Sequence, residues 1–69
     1  MGQSKSERLL KKLNVIEQEL LCVGNYKDMI ESSLISGDKQ TALRFTGYQG
    51  AKLGVLLSLI QEAEIIAKL

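Results

Sequence analysis

Leu9, Leu13, Ile16, Leu20, Val23, Ile30 and Leu34 recur at alternating steps of four and three, interrupted only where Lys27 takes the expected apolar place. Such steps return side chains to one face of an α-helix, so the first half of the chain reads as one amphipathic helix from about residue 5 to about residue 35. Leu10, Val15, Leu21, Cys22 and Met29 widen the stripe beyond a narrow coiled-coil seam. Ser4 followed by Glu7 fits a capping box, in which side chains satisfy the free amides at a helix start. The weak point is Gly24-Asn25. Glycine in a helix interior is disfavoured by about 1 kcal/mol against alanine. Asn25 can also cap a fresh helix with Asp28 in its first turn, so a kink or break here stands as the alternative to a continuous rod.

Ser36-Gly37-Asp38 is the clearest punctuation. Gly37 suits the left-handed position that ends helices, and Asp38 is a good cap for the next one. A second helix is expected from about 39 to about 68, with Ala42, Leu43, Phe45, Leu53, Leu56, Leu57, Ile60, Ala63 and Ile66 as its apolar positions. Two long helices joined by so short a turn lie antiparallel. The expected fold is therefore all-α, one antiparallel two-helix hairpin domain over residues 1–69, completed by an oligomer or a partner. The second helix changes character along its length. It is polar with scattered anchors as far as Lys52, then almost continuously aliphatic from Leu53. A helix apolar nearly all round needs cover on more than one face, which a single antiparallel neighbour does not supply.

Gly47, Ala51, Gly54 and Ser58 follow steps of four, three and four on one face, with Gly50 beside them. Three glycines inside a helix disfavour it by about 2–3 kcal/mol relative to alanine. Close approach of another helix to a backbone without side chains would offset that, and the neighbour is either the first helix or another chain. The alternative is that residues 47–50 form a loop, giving three helices.

Composition sharpens the need for a partner. A chain of 69 residues has one small core, and chains of this size are usually supplemented by disulfides, a metal or association. Cys22 is the only cysteine and there is no histidine, which removes an internal disulfide and the usual zinc ligands. Hydrophobic residues make up 45% and aromatic ones 4%, so the apolar content is aliphatic and too high for disorder. Proline is absent, leaving long helices uninterrupted. A net charge of +1 gives no general attraction to nucleic acid or anionic membranes.

Lys5, Arg8, Lys11 and Lys12 precede no apolar run of signal-peptide type, and Val55-Leu56-Leu57 with Leu59-Ile60 falls short of the roughly 20 residues that span a bilayer. A soluble cytosolic chain is the expectation, and there an unpaired thiol is ordinary. Met1-Gly2 with Ser6 formally fits an N-myristoylation pattern, but the pattern is loose and acylation is not the expectation.

No catalytic constellation is expected. Without histidine the commonest general base and any Ser-His or Cys-His pair are missing, and Cys22 between Leu21 and Val23 reads as a buried structural thiol. Gly47-Tyr48-Gln49-Gly50-Ala51-Lys52 lacks the spacing, the following Ser/Thr and the preceding strand of a phosphate loop. Glu17, Glu19, Glu62 and Glu64 read as solvated helix faces. No cofactor or metal is implied, and the chain does not read as an enzyme. A DNA-binding regulator is the alternative of a different class, resting on two modest clusters, Lys5/Arg8/Lys11/Lys12 and Lys39/Arg44/Lys52. Both are diluted by acidic neighbours, and the helix after the turn is too aliphatic for a recognition helix. Nucleic acid is not the expected partner.

The partner-binding surface is expected on the aliphatic half of the second helix, at Gly50, Leu53, Gly54, Leu56, Leu57, Ile60 and Ile66. The competing reading makes these residues the hairpin's own core, or the middle of a homodimeric four-helix bundle with no other client.

The chain resembles the small co-chaperones of type III secretion needle subunits (the YscE/PscE/EscE type). The resemblance rests on the tiny proline-free hairpin, the helix opening Ser6-Glu7-Arg8-Leu9-Leu10, the turn Ser36-Gly37-Asp38 with Lys39-Gln40, and the run Ala51-Lys52-Leu53-Gly54-Val55-Leu56-Leu57-Ser58-Leu59-Ile60. It covers about residues 6 to 66. Gly24 and the set Gly47/Gly50/Gly54 depart from the pattern. The resemblance implies a bacterial cytosolic role in which the hairpin stabilises a larger helical-repeat chaperone, and the pair keeps the needle subunit unpolymerised before export. Homo-oligomers are expected through the same surface when the partner is missing.

Overall fold

The computed structural model describes residues 4–69; Met1-Gly2, where the acylation pattern falls, lies outside them. The chain is an all-α helical hairpin of two helices, α1 (Lys5–Ile35) and α2 (Lys39–Lys68), in a rod of 54 × 15 × 14 Å. Among the described residues there is no strand. Contacts between the helices run antiparallel: Lys12 meets Glu62, Glu19 meets Lys52, and Tyr26 meets Phe45.

Side chains close the helix ends. The Glu7 N–H donates to Ser4 Oγ at 3.1 Å, opening α1. At its other end the Gly37 N–H donates to the Leu34 carbonyl (3.1 Å) and the Asp38 N–H to the Ser33 carbonyl (2.8 Å), the double closure of a Schellman motif. That closure needs a left-handed residue, and Gly37 supplies it with φ 79°. Asp38 then caps α2, accepting the Thr41 N–H at 3.1 Å and the Thr41 hydroxyl at 2.6 Å. One residue ends the turn and starts the next helix.

α1 runs unbroken through Gly24-Asn25 and α2 through residues 47–50, so neither the kink nor the three-helix alternative is present. A built Cβ at Gly24, Gly47, Gly50 or Gly54 meets nothing within 4 Å. Helix α1 is therefore not the close neighbour that the small-residue stripe suggested; packing elsewhere holds the glycine-bearing turns helical.

The seam between the helices differs from the apolar stripe read along α1. Leu9, Lys12, Ile16, Glu19, Val23, Tyr26, Ile30 and Ser33 are the sheltered positions, whereas Leu13, Leu20 and Leu34 are exposed. Across from them stand Ala42, Phe45, Gln49, Lys52, Leu56, Leu59, Ala63 and Ile66. Both sets step by three and four, as antiparallel knobs-into-holes packing requires. Half of the α1 stripe belongs to the seam and half lies beside it, because the apolar arc is wider than one neighbour can cover. The core itself is small, with Ile16, Leu56 and Ala63 at its centre and Leu9, Val23 and Leu59 packed around them.

Polar residues in the seam are mostly paired. Lys12 Nζ lies 2.9 Å from Glu62 Oε2, and Lys52 Nζ 2.8 Å from Glu19 Oε2. Long lysine stems lie along apolar surface while their heads meet carboxylates at its edge. Gln49 Nε2 donates to the Val23 carbonyl at 3.2 Å, and buried Ser33 donates its hydroxyl to the Met29 carbonyl at 2.8 Å. Tyr26, Phe45 and Tyr48, the chain's three aromatic residues, form one cluster with ring centroids 5.8–6.2 Å apart.

Candidate functional site

The residues expected to bind a partner divide three ways. Leu56 is 3% exposed and Ile66 8%, so both are committed to the hairpin's own core. Leu56 cannot reach a second chain unless the helices separate, and Ile66 meets the surface only in a concavity with Arg8, Lys11, Lys12 and Val15. Leu53, Leu57 and Ile60 are 49%, 58% and 42% exposed and do present a surface. Gly50 is exposed beside them. Gly54 falls seven residues from Gly47 and shares its side of α2, which helical periodicity turns away from the seam.

Helix α1 contributes to the same surface. Leu13 and Ile60 line one shallow groove together with Leu9, Ile16, Ala63, Ala67 and the single charged residue Glu64. Glu19 meets Lys52 one residue away from Leu20 and Leu53, which places that leucine pair on the groove's continuation toward the turn. Leu10 and Leu34 extend the row at its two ends, both exposed. The candidate site is thus a two-helix face built from Leu13, Leu20, Leu53, Leu57 and Ile60. The α1 leucines share one apolar stripe with the seam residues, and one signal separates them: only the register through Leu9, Ile16, Val23 and Ile30 also brings Lys12 and Glu19 to opposite charges on α2.

Some charges near this face are paired, whereas Glu64 in the groove and Glu17 beside it take part in no ion pair among the described residues. Lys27 and Glu31 pair at 2.9 Å on successive turns of α1; the Glu31 carboxylate raises the Lys27 pKa, and Lys27 lowers that of Glu31. Glu19, through its hydrogen bond and then its charge, raises the pKa of Lys52. Glu19 and Glu62 are therefore paired across the hairpin rather than simply solvated, and Lys12 and Lys52 are withdrawn from the two basic clusters.

The opposite face carries Val15, Cys22, Met29, Tyr48 and Val55, with Tyr48 belonging to the aromatic cluster. Cys22 is a free thiol, half-buried rather than enclosed. Among the described residues no group of three or more His, Cys, Asp or Glu side chains converges as a metal site, and no helix is long and apolar enough to cross a membrane. What the arrangement offers is an exposed aliphatic face on a narrow rod. No family model, curated protein or solved structure matches the chain.

Proposed function

We propose that the hairpin is a binding subunit that docks a helical partner on the Leu13/Leu20/Leu53/Leu57/Ile60 face, acting as a co-chaperone of the type III secretion needle-subunit kind. The observation that carries the reading is this aliphatic face spanning both helices, left open by a hairpin whose own seam is already filled. Exposed apolar rows of this kind rimmed by polar residues mark protein-binding surfaces. The family resemblance supplies the partner class: a larger helical-repeat chaperone that the hairpin stabilises, the pair holding a needle subunit unpolymerised in the bacterial cytosol before export. A DNA-binding reading gains nothing from the geometry, since Lys12, Lys27 and Lys52 each face a carboxylate.

The test is co-purification of the tagged chain from nuclease-treated native lysate, with and without a charge on the face. The wild type should retain a helical-repeat chaperone together with a small needle-like subunit. Leu57→Asp and Ile60→Asp should keep full helicity by circular dichroism and lose both proteins. Unchanged retention by the charged variants would remove this face from the proposal.

A further inference from the structure

The accessible surface of the chain is 5271 Å² at 7.6 kDa. A compact monomer of that mass exposes about 4300 Å², so the rod carries roughly 1000 Å² more than a self-sufficient fold. A standard stable interface covers about 800 Å² on each partner. The excess is the amount that one further interface removes. The groove between Leu13 and Ile60 is the apolar concavity in which such an interface can seat.

The register says what fits there. Leu13 stands level with Ile60, and Leu20 with Leu53, so the face carries two aliphatic rungs, one at mid-rod and one nearer the chain termini. Lys27 and Thr46 occupy the equivalent positions nearer the turn. Place a second copy face to face with its turn at the same end. Each aliphatic rung then meets its own copy, and α1 lies against the partner's α2, so neighbouring helices remain antiparallel. Glu17 comes level with Leu57 of the other copy and Glu64 with Leu10, with no two carboxylates directly opposed. Turn the second copy end for end and the pattern fails. Centred on the rod, the Leu20/Leu53 rung meets its own copy but the Leu13/Ile60 rung meets the Lys27/Thr46 positions. Centred on the rungs, Glu17 meets Glu17 and about a quarter of each rod overhangs.

We propose that two copies of this chain close the Leu13/Leu20/Leu53/Ile60 face in register, about a two-fold axis along the rod, forming a four-helix bundle with both turns at one end. The inference rests on the same face as the proposed docking role and makes the two uses mutually exclusive: self-association protects the surface until a partner displaces one copy. A net charge of +1 opposes this pairing only weakly.

The experiment uses the purified full chain alone, so it does not depend on the proposed partner. Sedimentation equilibrium at micromolar concentrations should give twice the chain mass for the wild type and for Val15→Glu, on the opposite face. Leu20→Glu should give the single-chain mass with its helicity intact. For orientation, Cys22→Ser/Ser36→Cys carrying a nitroxide should show a turn-to-turn distance below about half the 54 Å rod length by pulsed electron resonance. A wild-type monomer at 100 µM would overturn the proposal and leave the face to a different polypeptide. A dimer that survives Leu20→Glu would overturn the face, and a spin-label distance approaching the rod length would overturn the in-register arrangement. None of these outcomes bears on co-purification of the secretion chaperone, which has its own charged variants.

Discussion

Glycine positions in α2 separate what the hairpin needs from what its face needs. A methyl group added at Gly47 or Gly50 meets nothing within 4 Å, so neither glycine is held by the fold. Alanine at either position should stabilise the helix by about 0.5–1 kcal/mol, because glycine loses more backbone freedom on folding. For a chain of this size that is a rise in melting temperature of roughly 2–8 °C. The two should diverge in association. Gly47 lies on the side away from the seam, so Gly47→Ala should leave binding unchanged. Gly50 adjoins Leu53 and Leu57, so Gly50→Ala should melt higher yet bind more weakly, the usual opposition between stability and function at a docking surface. Thermal melts by circular dichroism, paired with sedimentation, check both. Equal association for the two variants would mean that close approach at Gly50 plays no part. Gly37 is the opposite case: φ 79° makes alanine there strained, and Gly37→Ala should lower the melting temperature.

At the scale of elements, the turn does its work through Asp38, and that makes the hairpin acid-sensitive in a definite window. Hydrogen bonds from the Thr41 hydroxyl and then the Thr41 backbone N–H favour the ionised carboxylate and hold its pKa below the ordinary value. A group whose folded pKa lies below its unfolded value, about 3.9 for aspartate, contributes stability that is complete above the unfolded value. That contribution is lost as the pH falls through the folded value. The melting temperature should therefore be flat from pH 7 to about 5 where this residue is concerned, and decline below about 4. Asp38→Asn retains an acceptor but does not titrate, so its decline in acid should be shallower than that of the wild type. The acid response of Glu31, held below its ordinary pKa by Lys27, has the same sign and remains in both proteins. Parallel declines in melts at pH 6, 4 and 3 would assign the acid response to Glu31 and other carboxylates instead. Ser4, Gly37 and Asp38 were legible in the sequence because capping is local chemistry with few suitable residues. The seam was legible only in half. A stripe through Leu13 and Leu20 has better hydrophobic periodicity than one through Lys12 and Glu19, and the latter wins only because Glu62 and Lys52 stand across from it. Pairing between residues tens of positions apart is not visible in either helix alone. For the same reason Leu56 and Ile66 were placed on the partner surface, although α1 had already covered them.

For the whole molecule, a rod of 54 × 15 × 14 Å is too thin to protect its aliphatic content, since every residue of a two-helix hairpin is close to solvent. A core centred on Ile16, Leu56 and Ala63 leaves a fold of marginal stability. Whatever binds the folded hairpin and not the unfolded chain must then raise its melting temperature by mass action. With a second copy on the open face, the linkage is to the chain's own concentration. Dilution of the wild type from 100 µM to 1 µM should lower the melting temperature by several degrees. Leu20→Glu, which loses the interface and the buried half of one side chain, should melt at one temperature across that range and at or below the dilute wild-type value. The same logic distinguishes the two uses of the face. A partner chaperone added in excess should abolish the concentration dependence while raising the melting temperature, because the partner replaces the second copy rather than adding to it. A concentration dependence that persisted with the partner bound would mean that two separate faces are at work, with the Val15/Val55 side carrying one of them.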